Sequence, residues 1–133
     1  MTRIDAGPLG PYTSRHVAVA AQPFTHLFAD FADVPTAQLR DAALVTGLLI
    51  AAASAAGFTA HVAPVVRALP DSGVSALYAL EGCHIAVHTF PERGVLLLDV
   101  LAPSAHHDAQ RAVDVFVRRI DARAVRTGQQ SRG

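Results

Sequence analysis

Apolar and polar residues alternate through much of this chain and give way to helical spacing in two places. Residues 25–33 alternate weakly, with Leu27, Ala29 and Phe31 on one face, and predict a strand. Leu39, Ala42, Ala43, Leu49, Ile50 and Ala53 then keep helical spacing. Thr36 after Pro35 suits an N-cap and Gly57 a C-terminal stop, so one helix is predicted between them. Its second half is apolar all round and rich in alanine, as suits a helix lying on a sheet. Residues 58–68 predict a strand bent at Pro64, and residues 69–72 a turn. Residues 73–81, 83–90 and 94–101 predict three successive strands, parted by Gly82 and by the turn over residues 91–94. Such short connections make neighbouring strands antiparallel. Ser104 is placed to cap a last helix over residues 105–126, with Ala109, Ala112, Val113, Phe116, Val117 and Ile120 as its apolar stripe. Residues 15–22 read as a short added strand ended by Pro23. Residues 1–14, with Gly7, Pro8, Gly10 and Pro11, read as a flexible arm, and the polar residues 127–133 as a frayed tail.

The core order β-α-β-β-β-β-α predicts an α+β fold. It is a two-layer sandwich with a mostly antiparallel sheet and two helices on one face. At 133 residues the chain is expected to form a single domain over 1–133. Formal net charge is zero, which offers no basic field for nucleic acid or an anionic membrane surface. The longest apolar stretch, residues 44–56, falls short of the roughly 20 residues that span a bilayer. The chain opens without an apolar signal core and has a single cysteine, Cys83, so a cytoplasmic location is expected and the thiol is free. There is no lysine, which excludes a lysine Schiff base and covalently anchored pyridoxal phosphate. His84 and His88 share a strand face at a spacing that suits a metal, but no further ligand set accompanies them, and no metal is assigned. His106 and His107 read as solvated residues or neighbours of the helix cap.

Residues 73–92 read GVSALYALEGCHIAVHTFPE. Gly73, Val74 and Ser75, followed by His84, His88, Thr89, Pro91 and Glu92, resemble the small bacterial S-adenosylmethionine decarboxylases. These carry a Gly-Val-Ser segment ahead of a Glu-Ser-His-x-x-x-His-Thr-Trp-Pro-Glu run. The strand containing Asp99 and Val100, the pair His26 and Leu27, and Asp30 are similar as well. The resemblance covers about residues 25–120. It implies a pyruvoyl-dependent decarboxylase made by self-cleavage, of the polyamine (spermidine) biosynthetic type. In that family an internal serine attacks the carbonyl before it, the chain splits, and the new N-terminus becomes a pyruvoyl group that serves as the electrophile.

Carried onto this chain, Cys83 stands at the serine position, so cleavage is expected between Gly82 and Cys83, with a pyruvoyl group derived from Cys83. His88 and Ser75 fall on the processing histidine and serine. Phe90 stands where an aromatic stacks on the adenine, and Glu92 where a carboxylate accepts hydrogen bonds from ribose hydroxyls. The implied partners are a small-molecule substrate, S-adenosylmethionine or an amino acid, and a second copy in a homodimer. Three positions depart from the pattern: Cys83 replaces serine, Gly82 replaces glutamate, and Pro103 replaces a cysteine that acts in decarboxylation. They leave open two alternatives, a pyruvoyl decarboxylase of another amino acid and a non-catalytic homologue that binds a nucleoside or regulates a partner. Strand geometry adds a conflict, because Cys83 and His88 lie an odd number of residues apart and point to opposite faces of a regular strand.

Overall fold

A computed structural model describes residues 23–105 and 107–133. The expected arm over 1–14 and strand over 15–22 lie outside the described residues, as does His106. Six strands, β1 (Phe24–Ala32), β2 (Val65–Ala68), β3 (Val74–Leu80), β4 (Cys83–Phe90), β5 (Val95–Pro103) and β6 (Ala124–Arg132), form one sheet in the order β2-β3-β4-β5-β1-β6. All neighbours are antiparallel. Helices α2 (Ala42–Ala55) and α3 (Ala109–Arg119) pack on one face, with the short α1 (Thr36–Leu39) leading into α2. The α+β two-layer architecture expected from the pattern is the one found.

Four boundaries differ from expectation. The first helix is broken: α1 ends at Leu39, and the Asp41 carboxylate caps α2 by accepting from the Leu44 amide at 2.9 Å. The strand expected over 58–68 shrinks to β2, since Pro64 has no amide to pair. The segment before it is held instead by the Tyr78 hydroxyl, which donates to the Val62 carbonyl at 2.8 Å. Asp108, not Ser104, caps α3, and the helix stops at Arg119. The tail expected to fray is β6, paired with the whole length of β1 from Phe24↔Arg132 to Ala32↔Ala124. Its polar sequence is that of an edge strand beyond the cover of the helices, formed by backbone hydrogen bonds with little apolar burial. Gly128 lies against the Phe28 ring, where a Cβ would collide with it.

The core lies between sheet and helices. Leu27, Ala29 and Phe31 of β1, Ile85 and Val87 of β4, and Leu96, Leu98 and Val100 of β5 meet Val45, Leu48 and Leu49 of α2 and Val113 and Phe116 of α3. The other sheet face has no helices on it. Strand alternation puts there His26, Phe28 and Asp30 of β1, Ser75 and Leu77 of β3, His84, Ala86, His88 and Phe90 of β4, and Leu97, Asp99 and Leu101 of β5.

Candidate active site

Register brings polar groups from several strands into one row on this open face. Arg67 stands opposite Ser75, Ser75 opposite His88, His88 opposite Leu97, Leu97 opposite Asp30, and Asp30 opposite Arg126. Within it, Ser75 Oγ and His88 Nδ1 are hydrogen-bonded at 2.9 Å. The Arg126 guanidinium donates to Asp30 at 2.8 Å.

A buried threonine holds the first pair in place. Thr89 points to the helix side, and its hydroxyl accepts from the Val74 amide at 2.8 Å and donates to the Leu39 carbonyl at 2.7 Å. Val74 precedes Ser75 and Thr89 follows His88. The one side chain therefore locks the ends of β3 and β4 to each other and to α1. Phe90, 38% exposed, continues the open face beyond His88, and Glu92 lies exposed in the 3-10 turn Pro91–Arg93 that follows, anchored by the buried Pro91. The structure thus gathers Ser75, His88, Phe90 and Glu92 at one end of β4.

Cys83 is at the other end. It follows the turn made by Glu81 and Gly82, closing on the pair Leu80↔Cys83. Gly82 has φ +70°, a left-handed conformation that glycine adopts without strain. At about 3.4 Å per residue, Cys83 is roughly 17 Å from His88 along the strand. Its side chain points to the helices, on the face opposite His88. It is 7% exposed, and desolvation pushes its thiol up from the ordinary value, favouring the protonated form. Glu81 lies exposed in the turn, 3.6 Å from His61. Two residues past the pair His84↔Leu101, the β4–β5 register puts Gly82 level with Pro103, which pairs in turn with Phe24.

One further pair is not visible as a unit in the sequence. His26 Nε2 and Asp99 Oδ1 are 3.1 Å apart on the open face, half-buried in a groove of about 540 Å³ that also takes in Phe28, Asp30, Leu97 and Arg126. The residues are 73 positions apart, and only strand order makes them neighbours. Their signal was a histidine and an aspartate on the outward phase of two strands. Among the described residues no three His, Cys, Asp or Glu side chains cluster as a metal site.

The site is thus a serine–imidazole pair at one end of β4 and a buried cysteine after the hairpin turn at the other, on the antiparallel sheet of an α+β sandwich. The family model for S-adenosylmethionine decarboxylase matches residues 25–133, and the chain belongs to that family. An S-adenosylmethionine decarboxylase proenzyme of Brevibacillus brevis is 33% identical over 92 residues, 69% of this chain and 68% of that protein. One from Pyrococcus furiosus is 34% identical over 61 residues, 46% of this chain and 44% of its own length, so the chain spans less than half of that relative. An arginine decarboxylase proenzyme of Aeropyrum pernix is 27% identical over 100 residues, 74% of this chain and 75% of that protein. The crystal structure of the adenosylmethionine decarboxylase from Aquifex aeolicus superimposes with a TM-score of 0.77 at 24% identity, covering 86% of this chain and 93% of that one, and shares the fold.

Proposed function

We propose that this chain is a self-processing proenzyme whose Gly82-to-Cys83 bond is exchanged for a thioester, and that the cleaved form is a pyruvoyl-dependent decarboxylase of S-adenosylmethionine serving spermidine synthesis. The observation that carries this reading is the 2.9 Å bond between Ser75 and His88, a hydroxyl–imidazole pair able to relay a proton.

The residues suit formation of the group. Gly82 presents no side chain in front of its carbonyl, and apart from its two chain neighbours no residue lies within 4 Å of where its Cβ would stand. Cys83 Sγ attacks the Gly82 carbonyl carbon, and the amide nitrogen leaves with a proton. Loss of the Cys83 Cα proton then breaks the Cβ–Sγ bond and releases residues 1–82. Water displaces ammonia from what remains and leaves a ketone. Once formed, that group supplies a carbonyl that condenses with the substrate amine and draws electrons as carbon dioxide departs. Phe90 offers an aromatic face to a base, and Glu92 two acceptor oxygens to ribose hydroxyls.

The separation of Ser75 and His88 from Cys83 supports a homodimer in which one copy serves the other. Sheet faces that carry exposed Val65, Leu77 and Phe90 beside polar pairs suit such an assembly.

Intact-mass measurement of the purified protein tests the reading. Two fragments divided between Gly82 and Cys83, the second blocked by a pyruvoyl group, are expected. A single chain that persists for days would sink it. A second substrate reading draws on the Aeropyrum relative, whose aligned stretch is longer than that of the Pyrococcus enzyme. Carbon dioxide release from S-adenosylmethionine and from arginine separates the two, and the former is expected to dominate.

A further inference from the structure

Any decarboxylation leaves an electron pair on the carbon that lost carbon dioxide, and a proton must be delivered there. At the Cys83 end of the open face β5 presents Leu101 opposite His84 and, by the same register, Pro103 level with Gly82, and neither side chain has a proton to give. His26 is on the same face, two residues along β1 from Phe24, the partner of Pro103. It is therefore the diagonal neighbour of Pro103, about 7 Å away between Cβ atoms. Its Nε2 is engaged by Asp99 at 3.1 Å, which leaves Nδ1 as the free nitrogen. Phe28 lies edge-on to the ring, with centroids 6.3 Å apart.

Resting on the decarboxylase reading above, we infer that His26, oriented by Asp99, is the acid that completes the reaction. The carbon's electron pair takes the proton from Nδ1 of the imidazolium, Asp99 holds the Nε2 proton, and neutral imidazole is then recharged from water. The other charged or titratable groups on this part of the face are His84 across Leu101, which has no hydrogen-bond partner among the described residues, and Asp30 and Arg126, which are bonded to each other.

The experiment compares the wild type with His26→Asn, Asp99→Asn and His84→Asn. Mass analysis first establishes cleavage in each. The cleaved proteins then turn over whichever of S-adenosylmethionine and arginine the wild type accepts. Carbon dioxide released per chain before inactivation is counted, and the C-terminal fragment is weighed. For His26→Asn, carbon dioxide per chain is expected to fall about a hundredfold. Its fragment is expected to collect with an amine where the ketone stood, because a proton delivered to the wrong carbon leaves the substrate nitrogen on the protein and, after addition of water, releases an aldehyde. Asp99→Asn is expected to show the same misplaced proton to a lesser degree, and His84→Asn to keep the wild-type ratio. A wild-type ratio in His26→Asn, or the amine-bearing fragment in His84→Asn instead, overturns the assignment while leaving the decarboxylase reading intact. A wild-type chain that never splits overturns both.

Discussion

Burial pushes the Cys83 thiol up, and the thiolate is the form that attacks. Self-cleavage is therefore expected to quicken as pH rises through the alkaline range, which a series of mass measurements on freshly refolded protein would follow. A rate flat across that range would speak against direct thiolate attack. Sulfur also changes the product. On the self-processing reading, sulfur stays with the departing carbonyl when the Cβ–Sγ bond breaks, so the fragment 1–82 is expected to end in a thiocarboxylate. A Cys83→Ser chain ends the same fragment in a carboxylate. The two are told apart by mass and by alkylation, which caps only the thiocarboxylate. Equal masses for the two fragments, taken before any hydrolysis, would mean that sulfur never carried the acyl group. At the other end of β4, His88→Ala removes the imidazole bonded to Ser75 and is expected to slow cleavage about a hundredfold or more, read by the same assay.

Among the elements, β3 and β4 owe their alignment at the Ser75–His88 end to Thr89. Thr89→Val keeps the shape but leaves the Val74 amide and the Leu39 carbonyl without that hydroxyl, at an expected cost of about 2–4 kcal/mol. Urea unfolding of an uncleavable Cys83→Ala background would measure it, and a loss under about half a kcal/mol would contradict the buried double bond. These strands were legible because they alternate and because Gly82 and the Pro91 turn interrupt them. The Ser75–His88 pair was legible only through the family run, since thirteen residues separate them and strand pairing alone makes them touch. Other elements were hidden for physical reasons. β6 carries Thr127, Gln129 and Ser131 on the side facing the helix layer, so no apolar alternation announces it. The break at Asp41 rests on one capping carboxylate inside an otherwise continuous helical pattern. His26 and Asp99 were each visible as matched family positions, but their contact required the order β5-β1, which residue spacing does not encode.

For the molecule as a whole, the separation within β4 carries the strongest consequence. Cys83 and His88 face opposite sides, roughly 17 Å apart along the strand, so a rotamer change cannot bring them together within one chain. Two sheets stacked open face to open face, about 10 Å apart, provide the alternative. If the two-fold axis lies in that interface and runs across the strands at the level of Ala86, position 83 of one copy falls over position 89 of the other. The Gly82 turn then meets the partner's Ser75–His88 pair, and each copy offers the same patch, as a closed dimer requires. The scheme makes a complementation prediction. Chains carrying Cys83→Ala cannot be cut, and chains carrying His88→Ala lack the imidazole. Expressed alone, the first is expected to stay whole and the second to be cut about a hundredfold more slowly or not at all. Expressed together with distinguishable tags, the His88→Ala chains are expected to be cut, because their intact Gly82–Cys83 peptide lies over the histidine of a Cys83→Ala partner, while the Cys83→Ala chains remain whole. Cleavage confined to the His88→Ala chain and dependent on the partner is the result that fits service between copies. If both chains stay whole although the two tags copurify, processing runs within a single chain, and β4 must then unpair from β3 to let Cys83 approach His88.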